Sequence, residues 1–440
     1  MADSDQPPLH ILCIAPAFAP IANPEAFCGA KMVQAMLDCG ASVTVLSSSN
    51  FRQRDTDGSR MWDSVREIVV DVPRPVHPDP LRTIVAAARY QTPFHARWVS
   101  ATVETAGRLH SARKVDLVYS RSLPKAAHIA GYWCAKTLKV PWVANINDPW
   151  DSDFFPVAGS PNGSASWSRA NIFWLRRTLR RADLVTYPCK RLWDFHARLA
   201  KLNHGAEVIP HIGYRPRFPN HEQNGNFRLL HAGRLLSTHG RFSSSLLLGL
   251  KALVDSSAEA AAQIKLALAG PVDAETRKLI GELGLQRNIE IVGTVNYEDS
   301  LDLIASASVC VLVEACVDEG IFLPSKLTDY VACGKPVLAI SPKVGTAADL
   351  ASRGELLRID HDPTAVRDAI SALYSEFKRG TLNSRNPSDR LIAEYQGPVI
   401  ADNFLSACRA LTLRAQTARG HRDRKDSWTP NRHSKEWSSF

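Results

Sequence analysis

The chain lays down alternating apolar runs and helical stretches, breaks off in a polar segment, and then starts the same alternation again. Leu9 to Ala15 is an apolar run closed by Pro16, as expected of a strand buried on both faces of a parallel sheet. Met32, Val33, Met36 and Leu37 fall at helical spacing within Ala30 to Leu37, Gly40 ends that helix, and Ser42 to Leu46 supplies the next strand. Such a strand–helix–strand unit is right-handed and builds a parallel sheet. Further strands are predicted at Glu67 to Val72, Leu117 to Tyr119, Trp142 to Ile146, Leu184 to Tyr187 and Glu207 to Ile209.

Tyr214 to Asn226 (YRPRFPNHEQNGN) has linker composition. Beyond it, strands are predicted at Arg228 to Ala232, Lys265 to Ala269, Glu290 to Val292, Val309 to Val313 and Val337 to Ile340. Helices are expected between them at Ser243 to Val254, Thr276 to Leu283, Ser300 to Ala305 and Lys326 to Ala332. Two such series in 440 residues, more than one core usually serves, predict two Rossmann-like α/β domains facing each other across a cleft. The boundaries expected are 1–214 for the first domain, 215–226 for the linker and 227–410 for the second. Residues 411–440 are expected to be a basic, disordered tail.

Composition narrows the classes. The net charge is +9, and residues 411–440, with seven Lys/Arg against three Asp/Glu, supply +4 of it. The remaining +5 suits anionic substrates or an anionic membrane surface better than dedicated nucleic-acid binding, so no nucleic-acid partner is expected. The nine cysteines are scattered without a Cys-x-x-Cys pair, which argues against a disulfide framework or structural zinc. No apolar run is long enough to span a bilayer, and Ile11 to Ile14 is too short for a signal-peptide core. A cytoplasmic protein is therefore expected.

Glu319 to Ile340 (EGIFLPSKLTDYVACGKPVLAI) carries the most chemistry. Pro324 is expected at the first helical position, with Gly334 just past the end. The helix start offers free N–H groups and partial positive charge, and Lys326 adds a cation where the dipole already disfavours one. A bound phosphate would relieve that conflict. Asp329, one turn on, is placed to accept hydrogen bonds from sugar or ribose hydroxyls. In Leu229 to Arg241 (LLHAGRLLSTHGR), a strand runs into Gly233 and is followed by Arg234 and Arg241, two cations able to clamp a diphosphate. In the first half, Cys28-Gly29 precedes the predicted first helix, and Asp148 lies at the carboxyl end of the strand in PWVANINDPW. A helix-packed role is expected for His128. No useful Gly-x-Gly-x-x-Gly occurs, which argues against a nicotinamide dehydrogenase.

These segments resemble glycosyltransferase family 4, whose fold is GT-B, over about residues 9 to 350. The resemblance implies retaining transfer of a sugar from a nucleotide-diphosphate sugar to a glycan or lipid-linked acceptor in polysaccharide or glycoconjugate biosynthesis. It implies Arg234, Arg241 and Lys326 on the departing diphosphate, Asp329 on the ribose, and donor contacts from Glu319, Ser325, Gly233 and Gly29. Asp148 becomes a sugar or acceptor contact. The family usually has Glu at position 329 and a second Glu where this chain has Ile321. No cofactor or metal is expected, and Asp151-Ser152-Asp153 is not taken as a metal motif, since that motif serves a single-domain architecture. Trp167 to Arg181 mixes arginine with aromatic residues and is a candidate contact with the inner face of a membrane, as is Arg82 to Trp98. The alternatives are a non-catalytic nucleotide-sugar-binding or scaffold subunit of the same fold and a nucleotide-sugar epimerase.

Overall fold

A computed structural model describes residues 7–48, 57–73, 79–150, 165–202, 205–216, 226–235 and 244–426. The apolar runs become strands. In the first half these are β1 (His10–Ile14), β2 (Ser42–Ser47), β3 (Val69–Asp71), β4 (Leu117–Arg121), β5 (Trp142–Asn145), β6 (Leu184–Tyr187) and β7 (Glu207–Val208). They form one parallel sheet in the order β3-β2-β1-β4-β5-β6-β7. All five residues of β1 are buried, because helices cover both faces of the sheet.

The second half repeats the plan with β8 (Phe227–Ala232), β9 (Ile264–Ala269), β10 (Ile289–Gly293) and β11 (Val309–Val313). The short β12 (Glu319–Gly320) is followed by β13 (Val337–Ile340), the short β14 (Val344–Gly345) and β15 (Leu357–Ile359). Its six-stranded parallel sheet runs β10-β9-β8-β11-β13-β15, while β12 and β14 pair with each other. In each sheet the connections diverge on either side of one central strand, between β1 and β4 and between β8 and β11. The carboxyl ends at such a switch point leave a crevice where ligands bind.

The helix Pro24–Asp38 begins six residues before its predicted start, because the Asn23 side chain accepts from Ala26 N and Pro24 fills the first turn. Gly40, at φ +80°, follows its end. The helix Ser325–Ala332 differs from expectation at one residue: Pro324, with ψ 126°, is the capping residue and Ser325 the first helical one.

Two domain boundaries also need correction. The last helix runs from Gly397 to Asp426, so the expected tail is helical as far as residue 426, and 427–440 lie outside the described residues. That helix also leaves the second domain and packs on the first. Phe404 lies against Tyr119, ring centroids 4.8 Å apart, and Cys39 Sγ faces Pro398 O at 3.9 Å. The two halves are thus tied by the linker and by a returning C-terminal helix. One hydrophobic cluster accordingly runs from β1 and β4 through Ile212 to Leu327 and Tyr330 of the second domain.

Candidate active site

The second sheet brings most of the expected donor residues to its switch point. The chain leaves β8 through Gly233 at φ +114°, and Gly270, at φ +140° after β9, is packed so closely that a Cβ there would stand 2.5 Å from Gly233 O. Two glycines are needed for that backbone-to-backbone approach. A Cβ on Gly233 would meet Lys326 Nζ at 2.6 Å, so the lysine ammonium lies directly over this turn. His231 Nδ1 lies 3.0 Å from Val311 O, which can only accept, so Nδ1 carries the proton. The Nε2 lone pair then accepts from Lys326 Nζ at 3.3 Å. Tyr330 OH receives Ala232 N at 2.9 Å, fixing the helix Ser325–Ala332 to the end of β8. Ser325 and Lys326 are half-buried at that helix start, and Arg234 is exposed beside it. Arg241 lies outside the described residues, as do Asp151 to Asp153.

Asp329 has partners other than the ribose hydroxyls that the resemblance implies. Its Oδ1 accepts from Lys31 Nζ at 3.0 Å, from Tyr214 N at 2.9 Å and from Tyr297 OH at 2.9 Å. Lys31 belongs to the helix Pro24–Asp38 of the first domain, and both side chains are buried. The shorter aspartate side chain is thus held by protein donors, one of them a cation from across the cleft.

Glu319 is likewise drawn away from the helix start. It pairs with Arg191 at 2.8 Å and Arg198 at 3.4 Å, both on the helix Lys190–Ala200 of the first domain. Arg191 also grips Asp349 at 2.6 Å, and these two carboxylates raise its pKa further. Ile321 is buried, and its carbonyl accepts from Cys189 Sγ at 3.1 Å. A further interdomain contact is Tyr297 N to Asp57 Oδ2 at 2.8 Å.

In the first domain, the carboxyl ends of β4 and β5 gather a polar cluster. Glu25, in the first turn of Pro24–Asp38, accepts from Asn147 Nδ2 at 2.9 and 3.1 Å, and Arg121 Nη2 lies 3.6 Å away. Burial pushes the Glu25 carboxyl up to about 8; Arg121 and Asn147 oppose this, and the nearby Asp148 adds to it. Gly29 is buried one turn after Glu25, and a Cβ there would stand 3.2 Å from the Phe18 ring and 3.5 Å from Arg121 Nε. Gly29 therefore serves packing around Arg121. Asp148 is half-buried in the loop after β5. His128 is fully buried, hydrogen-bonded to Ser120 at 3.0 Å and stacked on Trp150 at 5.5 Å, in keeping with a packed histidine. His211 is also buried, held neutral first by burial and then by the charges of Arg121 and Lys31.

Lys31, Glu25, Arg121, His231 and Arg191 were not singled out from sequence. Glu25 carried a local signal, since Asn-Pro-Glu is a helix start that brings an acid into the first turn. The other four owe their place to contacts far away in the chain, such as the 298-residue separation of Lys31 and Asp329.

Two parallel-sheet Rossmann-like domains of this order, tied by a returning C-terminal helix, are the GT-B fold. Solved structures share it. The HepE protein of Anabaena in complex with UDP and glucose superimposes with a TM-score of 0.65 at 16% identity, covering 92% of this chain and 100% of that one. A sucrose-phosphate synthase from Thermosynechococcus elongatus gives 0.66 at 17%, covering 92% and 99%. A UDP-N-acetylglucosamine 2-epimerase gives 0.54 at 12%, covering 90% and 95%. At these identities the likeness is one of fold. No curated protein matches the chain in sequence.

The family models go further. Residues 29–210 match a glycosyl transferase 4-like domain and residues 228–376 match glycosyl transferases group 1, one model for each half. Each half of the chain thus carries a glycosyltransferase domain.

Proposed function

We propose that the protein transfers a sugar from a nucleotide-diphosphate sugar to a glycan or lipid-linked acceptor, with retention of anomeric configuration, in polysaccharide or glycoconjugate biosynthesis. The observation that carries this reading is Lys326 Nζ poised over the Gly233 turn, at the start of the helix Ser325–Ala332 and at the switch point of the second sheet. There a diphosphate would meet an ammonium, free backbone N–H groups and the exposed Arg234. Arg241 is proposed as the second cation of the clamp. The bond from the anomeric carbon to the β-phosphate oxygen breaks, its electrons pass to the phosphate, and charge grows where Lys326 stands. The acceptor oxygen bonds to the same face, and its proton passes to the departing phosphate. No metal is required by this scheme.

Asp329, Glu319, Ser325 and Gly233 are the proposed donor contacts, with Asp329 reaching the ribose once Lys31 has moved away. Gly29 makes room on the facing side. Asp148 and Glu25 are the proposed acceptor-side groups. The enzyme is proposed to act in the cytoplasm, at the inner face of a membrane when its acceptor is lipid-linked.

The scaffold alternative draws on one observation, the occupation of Asp329 by Lys31. Turnover separates the two readings. Full-length protein is incubated with UDP-glucose, GDP-mannose or ADP-glucose, and release of the nucleoside diphosphate is followed. Release with one donor, reduced roughly a hundredfold in Lys326→Ala, supports the transferase. Binding of a donor without any release supports the scaffold.

A further inference from the structure

The helix Ser325–Ala332 is open at its start and shut one turn on. Ser325 and Lys326 are half-buried beside the Gly233 turn, whereas Asp329 is 5% exposed. Its Oδ1 already accepts from Lys31 Nζ, Tyr214 N and Tyr297 OH. One carboxylate oxygen offers roughly two lone pairs, so this one has none left for a further hydroxyl. Burial keeps a ring the size of ribose from the rest of the group.

Most of the cover comes from the first domain. Lys31 Nζ stands over the Tyr297 and Tyr214 rings, 5.4 and 5.8 Å from their centroids. Phe27, one turn before Lys31 on the helix Pro24–Asp38, and Trp62 pack on the Tyr297 ring at 5.0 and 5.3 Å. Burial, and then the Asp329 charge, push the Tyr297 hydroxyl well above its usual range, so it keeps its proton and donates. Tyr297 opens the helix Tyr297–Ser306 of the second domain, and that helix start is itself seated on the first domain. Tyr297 N donates to Asp57 Oδ2 at 2.8 Å, Glu298 N to Ser59 Oγ at 3.3 Å, and Arg60 N to Glu298 Oε2 at 3.1 Å.

We propose that this contact is autoinhibitory: Lys31 and the ribose of an incoming donor compete for Asp329, and a nucleotide sugar binds in full only after the helix Pro24–Asp38 has released the carboxylate. The inference rests on the donor reading and adds the regulation of that site. A site that is free in only a fraction of the molecules binds with its affinity reduced by that fraction. Inorganic pyrophosphate has no ribose and needs only the open end of the helix, so the competition does not touch it. The sign separates this from a plain charge effect. Loss of a lysine near an anionic ligand weakens attraction for any anion, whereas release of Asp329 tightens binding of nucleotides alone.

Isothermal titration of the full chain with UDP, GDP, ADP and inorganic pyrophosphate tests it. Lys31→Met should bind the accepted nucleotide about tenfold tighter or more, because losing one partner of a buried pair frees the other. Tyr297→Phe keeps the ring packing and removes one hydrogen bond to Asp329, so it should bind about threefold tighter. Pyrophosphate should show no gain in either variant.

A nucleotide that binds Lys31→Met no tighter than the parent would overturn the competition and leave the donor reading standing. A gain of equal size for pyrophosphate would also overturn it, by placing the change at the diphosphate. Should Lys31→Met fail to fold, Tyr297→Phe decides by the same two comparisons. If no nucleotide binds any of the folded proteins, the donor reading falls and the competition falls with it.

Discussion

Lys31 Nζ lies 3.0 Å from Asp329 Oδ1, joining the first helix of one domain to the helix Ser325–Ala332 of the other, with both side chains out of water. A buried pair adds little net stability over an apolar pair of the same shape, but losing one member strands the other. Lys31→Met should therefore lower unfolding stability by about 3 kcal/mol, tempered by Tyr297 OH and Tyr214 N, which still donate to the carboxylate. Lys31→Met/Asp329→Leu should recover most of the loss. Urea unfolding of the three proteins measures this, and a double variant worse than the single would contradict the pairing.

Arg191 closes the cleft from the other side by holding Glu319 and Asp349 at once. These groups are partly exposed, so each pair is worth only about 0–1 kcal/mol. Arg191→Gln should leave the melting temperature nearly unchanged but open the domains, seen as a larger radius of gyration in solution scattering. An unchanged radius would assign closure to the buried contacts alone.

Gly213 marks where the end of the first domain touches the helix Ser325–Ala332. A Cβ there would stand 2.1 Å from Thr328 O and 2.8 Å from Ala332 Cβ. Gly213→Ala should cost about 1–3 kcal/mol through overpacking. Gly205→Ala, which meets open space, should stay within about 0.5 kcal/mol of the parent. Paired denaturation curves give the comparison.

Acid should weaken the fold through three histidines. Burial lowers His128, His196 and His211 to about 3 from 6.5, so the native state keeps them neutral while the unfolded chain takes up protons below 6.5. Their contribution is complete above that value and shrinks as pH falls. Each should cost about 1.4 kcal/mol per pH unit, or about 4 kcal/mol for the three at pH ~5.5, and Glu25, whose carboxyl is pushed up to about 8, offsets about 2 kcal/mol of this because the native state holds its proton and the unfolded chain does not. Melting curves at neutral and mildly acid pH check this, and a flat profile would contradict neutral burial.

The parallel-sheet architecture was legible because buried parallel strands are nearly continuous apolar runs. Val309–Val313, Val337–Ile340 and Leu184–Tyr187 fall where the runs predict. The strand Leu357–Ile359 was missed: it is short, half-buried and at the sheet edge. The last turns of the final helix were read as a disordered tail because they are polar and basic and carry no apolar period. At the site, the positions of Gly233 and Lys326 were readable because local rules, a glycine turn after a strand and a cation at a helix start, fix where they sit. The partners of Asp329 and Glu319 were not, because long-range pairing with Lys31 and Arg191 decides them.

The central claim is that a nucleoside diphosphate sits over Gly233 beside Lys326. Thermal-shift titration of the full chain with UDP, GDP and ADP and their sugar conjugates, alongside Lys326→Ala and Arg241→Ala, tests it most directly. The account predicts a rise in melting temperature with one nucleotide family, lost in both variants. No shift with any nucleotide in a folded sample, or a shift that survives both substitutions, would contradict it.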